Sequence, residues 1–199
     1  MKKFLSITKK EISLRDHVLF HLLIYTGARK GELLALTWDD IDFEGGSIRL
    51  WKTLFQTDGK YLFQTPKTRD SKRLISLDNK TLALLKKWRI SHMKEGFANG
   101  IKNDGNNLVF IRGDGAPLRL AYLNEKLNIL IKKHNLHQIT IHGLRHTHAS
   151  LLFEAGASIK EVQERLGHTD IQMTMNIYTH VTNTLKEQTA SKFQKYIEL

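Results

Sequence analysis

The strongest constraint on this chain is its punctuation: helix start signals and glycine stops recur too often for any long helix. Thr8-Lys9-Lys10-Glu11 has the capping-box pattern, as do Ser158-Ile159-Lys160-Glu161, Thr169-Asp170-Ile171-Gln172 and Thr184-Leu185-Lys186-Glu187. Gly27, Gly156 and Gly167 stand where helices would stop. The spacing predicts helices over residues 15–26, 32–38, 79–94, 119–134, 140–154 and 158–167, another from Thr169 toward Tyr178, and one beginning at Thr184. Glu44-Gly45-Gly46 reads as a turn. Residues 47–53, 61–65 and 72–77 are rich in Ile, Leu, Phe and Trp and read as strands, with Asp58-Gly59 as a hairpin signal. The expected fold class is α+β and predominantly helical, with helices flanking a small three-stranded antiparallel sheet.

Composition narrows the function. With 199 residues the chain is long enough to bury a real core. It has no cysteine, which excludes disulfides, thiolate metal ligands and cysteine nucleophiles. No apolar run approaches a membrane span; the greasiest stretch, residues 18–25, is interrupted by His21. No signal-peptide pattern follows Lys2 and Lys3, so a cytoplasmic setting is expected. Lys and Arg number 31 against 20 Asp and Glu, a formal net charge of +11. Such an excess either solubilises the surface or meets a polyanion, of which nucleic acid is the commonest. Residues 96–107 are mostly Gly, Asn and Asp and read as a surface loop.

The densest polar cluster is His142-Gly143-Leu144-Arg145-His146-Thr147-His148. On a helix, His142, Arg145 and His146 share one side. His142 and His146 have the spacing of zinc-binding helices, but the zinc protease pattern needs Glu where Gly143 stands, and Arg145 would repel a dication. The other chemistry is anion binding. Arginine grips phosphate with a planar fork, and histidine adds a donor that can also move a proton. Further polar boxes recur along the chain: Leu166-Gly167-His168, then Tyr178-Thr179-His180, and far upstream Thr26-Gly27-Ala28-Arg29-Lys30-Gly31-Glu32, where Glu32 can orient the Arg29 guanidinium.

Together these boxes resemble the tyrosine recombinase (phage integrase) family. Its first box, T-G-x-R-x-x-E-L-x-x-L-x-W-x-D-I, matches residues 26–41; H-x-L-R-H-T matches residues 142–147; the L-G-H and Y-T-H boxes match residues 166–168 and 178–180. The resemblance covers roughly residues 8–181 and implies a tyrosine recombinase catalytic fold that cuts and rejoins double-stranded DNA through a covalent 3′-phosphotyrosine. It implies Tyr178 as nucleophile, Arg29 and Arg145 on the phosphate oxygens, His168 as a further donor and His142 as proton acceptor. It also implies a lysine on a strand hairpin that protonates the leaving hydroxyl. Lys67 fits that position and Lys72 competes with it; Arg69, Lys72 and Arg73 would grip the DNA backbone. No metal or other cofactor is implied, since the arginines replace the cation. A homotetramer on DNA is expected, with no membrane partner. Residues 1–181 would be the catalytic domain. Residues 182–199 would be a terminal helix that packs on its own domain or docks on a neighbouring protomer. The first box begins too near Met1 for a DNA-binding domain to precede it within this sequence. That makes the chain the catalytic part of a longer protein or a minimal family member. A non-catalytic DNA-binding module and a type IB-like topoisomerase are the competing functions.

Overall fold

A helix apolar on nearly every side sets the middle of the fold. In α2 (Leu14–Thr26), Val18, Leu19, Phe20, Leu22 and Leu23 are all buried, as expected of a helix enclosed by neighbours rather than lying on a surface. The computed structural model describes residues 1–65, 72–98, 100, 107–182, 194 and 197. Around α2 pack α1 (Lys2–Glu11), α3 (Lys30–Leu34), α4 (Asn79–Ala98) and α6 (Ile141–Glu154), with α5 (Tyr122–Lys133) against α6. Each fully buried leucine or phenylalanine contributes roughly 1.5–3 kcal/mol. A second, smaller apolar cluster joins α6 to α7 (Ile159–Leu166) and α8 (Ile171–Thr182) through Ala149, Phe153, Val162, Leu166 and Val181. Among the described residues, no helix is long and apolar enough to cross a membrane.

The chain is mostly helical with a small antiparallel sheet, and two of its three strands come from the segments the sequence suggests, while the third expected segment, residues 61–65, pairs elsewhere. The sheet is β1 (Ile41–Asp42), β2 (Ser47–Leu50) and β5 (Arg73–Ser76), in that order. Ile41, Ile48 and Ile75 lie in register across it and all face the core. The expected strand 47–53 is cut after Leu50. Trp51 donates its Nε1–H to Asp40 Oδ1 at 2.6 Å, and Lys52 pairs with Asp40 at 3.1 Å, so the chain turns out of the sheet. It resumes as β3 (Thr53–Thr57), paired with β4 (Lys60–Gln64) in a separate hairpin.

Helix boundaries follow the caps with three exceptions. Thr140 accepts from the Gly143 N–H at 2.9 Å, and Ser158 and Glu161 form the expected capping box. Thr8, however, does not start a helix. It lies inside α1, its hydroxyl bonded to the Leu5 carbonyl, and Ser13 caps α2 instead by accepting from the Asp16 N–H. The segment 32–38 splits into α3 and a 3₁₀ turn at Trp38–Asp40. At the start of α8 it is Asp170, not Thr169, that accepts from the backbone, at Gln172 N. Loop positions 99 and 101–106 and the box at Thr184 lie outside the described residues.

Gly27 ends α2 in the left-handed region, at φ 64°. A Cβ placed there would lie 2.6 Å from His148 Cδ2 and 2.7 Å from Leu166 Cδ2. Left-handed strain and overpacking therefore add. Gly27→Ala is expected to lower stability by roughly 2–4 kcal/mol, read as a lower urea midpoint at unchanged slope.

Candidate active site

The site begins with two helix ends. The last carbonyls of a helix lack intrahelical partners and carry partial negative charge. Helix α2 stops at Gly27, and α7 stops at Gly167 with φ 67°. Arg145, projecting from α6, spans the two stops: Nη1 donates to the Gly27 carbonyl at 2.7 Å and Nη2 to the Leu166 carbonyl at 2.7 Å. Two further arginines use the neighbouring carbonyls of α7. Arg73 Nε donates to the Arg165 carbonyl at 2.8 Å, and Arg29 Nη2 to the Gly167 carbonyl at 3.4 Å. Three consecutive carbonyls thus hold three different guanidiniums.

One buried carboxylate ties them together. Glu32 Oε2 accepts from the Arg29 backbone N–H at 2.7 Å, and Oε1 accepts from Arg29 Nη1 at 2.9 Å. Arg73 binds the same carboxylate through both Nη1 and Nη2, each at 2.9 Å. Burial opposes the charge on Glu32, but hydrogen bonds and attraction from Arg73, then Arg29, hold its pKa below the ordinary value. Three guanidiniums around one carboxylate leave an excess of two positive charges. Arg145 registers that excess. Burial first, then Arg29 and Arg73, pull its pKa down to about 9, with Glu32 opposing. The net charge of this arrangement suits an anionic ligand. Arg29 is the arginine open to one, with its side chain 41% exposed, whereas Arg145 is only 3% exposed.

The histidines lie alongside. His142 and His146 stack edge-on, ring centroids 4.6 Å apart. Burial, then His146, Arg145 and Arg29, lower the pKa of His142, which keeps it neutral near pH 7. His168 is buried, its Nδ1 2.9 Å from Thr174 Oγ1. Burial, then Arg145 and Arg29, push its pKa down to about 4. His142, His146 and His168 line a cleft of about 590 Å³ with Thr147, Ser150, Met173, Asn176 and Ile177. Among the described residues no group of three or more His, Asp or Glu is placed to hold a metal ion.

The structure therefore brings together Arg29, Glu32, His142, Arg145 and His168. Tyr178 sits on α8, one turn beyond Thr174 and on the same face. Its half-buried ring packs edge-on against Phe153, centroids 5.1 Å apart, in the smaller apolar cluster rather than in the cleft lining. Lys72 is exposed and lines a polar groove between β5 and α7 that reaches Gly167 and His168. Lys67 and Arg69 lie outside the described residues.

Arg73 corrects the sequence reading. Expected on the DNA surface, it is 8% exposed and bound to Glu32 and the Arg165 carbonyl. The strand alternation explains this. Arg73 is in register with Leu50 on the core face, while Leu74, opposite Arg49, is 68% exposed. The apolar residues of this strand occupy both faces, so hydropathy gives no sign of which side Arg73 takes.

Against known proteins, the phage integrase family model matches residues 1–184. The chain belongs to this family of integrases and tyrosine recombinases. It is 31% identical to the ICEBs1 integrase of Bacillus subtilis (strain 168), an alignment covering 96% of this chain and 51% of that one. A tyrosine recombinase XerC-like protein of Caldanaerobacter subterraneus subsp. tengcongensis (strain DSM 15242) is 33% identical, covering 88% and 49%. The chain thus spans about half the length of these relatives. In fold it is similar to the Tn1549 transposon integrase solved with transposon right end DNA, with a TM-score of 0.79 at 28% identity, over 95% of this chain and 64% of that one.

Removing the Glu32 charge leaves Arg73 buried without its countercharge. Glu32→Gln is expected to cost about 3–5 kcal/mol in urea unfolding at neutral pH. Because the folded pKa of Glu32 is depressed, its stabilisation is present above the unfolded value near ~4.3 and fades as pH falls through the folded value. The variant's stability should be correspondingly flatter on the acid side.

Proposed function

We propose that this chain is the catalytic part of a DNA recombinase that cuts and rejoins strands through Tyr178. The observation that carries this reading is the cation cluster with its net positive charge, beside neutral histidines and held through α6 and α7, both of which pack against the helix of Tyr178.

The residues can divide the work as follows. Tyr178 Oη attacks the scissile phosphorus; the bond to the 5′ oxygen breaks, a 3′-phosphotyrosyl ester forms, and a 5′-hydroxyl leaves. The ester conserves the energy of the broken bond, so the reverse attack by a hydroxyl reseals the strand without an external energy source. Arg29 and Arg145 hold the non-bridging oxygens, where negative charge accumulates in the transition state. Their fixed guanidiniums supply the positive charge, so the step needs no metal ion. Glu32 and Arg73 keep Arg29 in place. His142, neutral because its pKa is depressed, can take the tyrosine proton. Thr174 Oγ1 occupies His168 Nδ1; in the tautomer where that hydroxyl donates, the ring proton is on Nε2 and can be given to a phosphate oxygen. A lysine, Lys67 with Lys72 as competitor, protonates the departing hydroxyl. Arg69 and Lys72 bind flanking phosphates. Solved relatives have been seen with DNA, among them the Tn1549 integrase and XerH bound to its difH substrate; a homotetramer on double-stranded DNA, linked through residues 182–199, follows the same reading.

The decisive test incubates the chain with short duplexes that carry a randomised core and a nick, so that cleavage releases a short fragment and traps the adduct. Wild type should yield a detergent-resistant protein–DNA complex and Tyr178→Phe none. An adduct formed equally well by Tyr178→Phe, or none from wild type, would sink the assignment. Affinity for plain duplex should fall with salt, with a log–log slope of about −0.9 for each phosphate neutralised. A flat response would contradict backbone-dominated contact.

A further inference from the structure

Outside the residues that meet the phosphate, one buried histidine and one arginine occupy an unusual position. His148 is on α6, three residues beyond Arg145, and Arg165 is the penultimate residue of α7. His148 Nδ1 lies 2.8 Å from the Ile24 carbonyl oxygen, and Arg165 Nε donates to His148 Nε2 at 3.2 Å. A carbonyl can only accept, so Nδ1 carries the proton. A guanidinium N–H can only donate, so Nε2 presents its lone pair. Both ring nitrogens are thereby committed, and the imidazole is neutral.

We propose that His148 and Arg165 are a positioning pair that fixes Arg145 relative to the scissile phosphate. The inference rests on the strand-cleavage reading above. Arg145 hangs from two carbonyls, at Gly27 and Leu166, that belong to different helices. Its guanidinium is only as well placed as those helices are fixed to one another. The pair supplies that fixing from both sides. The His148 ring packs against Gly27 so closely that a Cβ there would meet its Cδ2, and it bonds Ile24 three residues earlier. Arg165 donates Nη2 to the Tyr25 carbonyl at 3.0 Å and Nη1 to the Ser76 carbonyl at 3.4 Å, fastening α7 to both α2 and β5. The carbonyl of Arg165 itself receives Arg73, and the next one receives Arg145. One bond, Arg165 Nε to His148 Nε2, joins the two halves of this brace. Neither residue is placed to touch the reacting atoms; both act through the backbone that holds Arg145.

The test is a double-mutant cycle on the full chain. It measures single-turnover adduct formation on the nicked randomised duplexes beside affinity for plain duplex, well below the melting temperature of each variant. His148→Phe keeps the ring volume and loses both bonds. Arg165→Lys keeps the charge and loses the fork, and it carries the test if the phenylalanine variant does not fold. Each is expected to slow adduct formation about 10- to 100-fold, the cost of misplacing a transition-state group, with affinity unchanged. The double variant should be slowed by less than the product of the two single losses, because the bond between the two residues is lost in all three. His148→Gln, whose Oε1 can still accept from Arg165, should recover most of the rate. Nitrogen-15 spectra of the wild type at neutral pH should show His148 protonated on Nδ1 alone. Wild-type rates in both folded single variants, multiplicative losses in the double, a glutamine variant as slow as phenylalanine, or a proton on Nε2 would each overturn the proposal. If wild type itself forms no adduct, strand cleavage fails and this inference falls with it, an outcome distinct from any of the variant results.

Discussion

The fold's chemistry depends on how Arg145 is solvated. A guanidinium taken out of water needs replacement partners, and burying it unpaired would be prohibitive. Here the partners are not carboxylates but the orphan carbonyls of two helices that end head-on near it. Those carbonyls need donors for the same reason. Each deficiency resolves the other, and the arrangement works only if α2 stops at Gly27 and α7 at Gly167. The two glycines give the chain the left-handed turn that points the last carbonyls toward a shared centre.

The use of carbonyls rather than acids has an electrostatic consequence. A carboxylate opposite each arginine would neutralise the site and compete with any anionic ligand. Carbonyl dipoles hold the guanidiniums without cancelling their charge. Among the described residues Glu32 is the full countercharge bound to these arginines, and Arg73 is bound to it through both Nη nitrogens. Arg73, which turns inward rather than toward DNA, thereby satisfies much of the demand of Glu32 and leaves Arg29 less neutralised than a simple pair would. The low pKa values of Arg145, His142 and His168 describe the same condition from the side of the protons: each group feels neighbouring cations and little water.

What could be read from sequence was what depends on a few adjacent residues. The glycine stops, the Thr140 cap and the Ser158 box require only neighbours, and the polar boxes of the candidate site are short strings whose residue types carry their chemistry. The Thr8 pattern misled because a capping box is a statement about backbone geometry, and here the helix was already under way when Thr8 was reached. The end of the strand that starts at residue 47 is not legible locally, because Asp40, eleven residues before Trp51, pulls the chain aside. Arg73 and the His148–Arg165 contact could not be found locally at all. Their partners lie at Glu32, Arg165, Ile24 and Tyr25, and only the packed chain brings these together.

The division of the interior into a large and a small apolar cluster has its own consequence. The larger cluster holds α2 and the helices and sheet around it, while the apolar packing of α7 and α8 amounts to a handful of residues around Phe153 and Val162, supplemented by the arginine–carbonyl bonds of residues 165–167. Local opening free energy rises with the apolar surface that must be exposed, so α7 and α8 can detach from α6 at less cost than the whole domain unfolds. Such an event withdraws the carbonyls of residues 165–167 and carries away His168 and Tyr178, while the helical core persists. The cluster of guanidiniums and histidines therefore has an opening threshold below that of the fold, and amide exchange along α7 reports the assembled site rather than the folded chain.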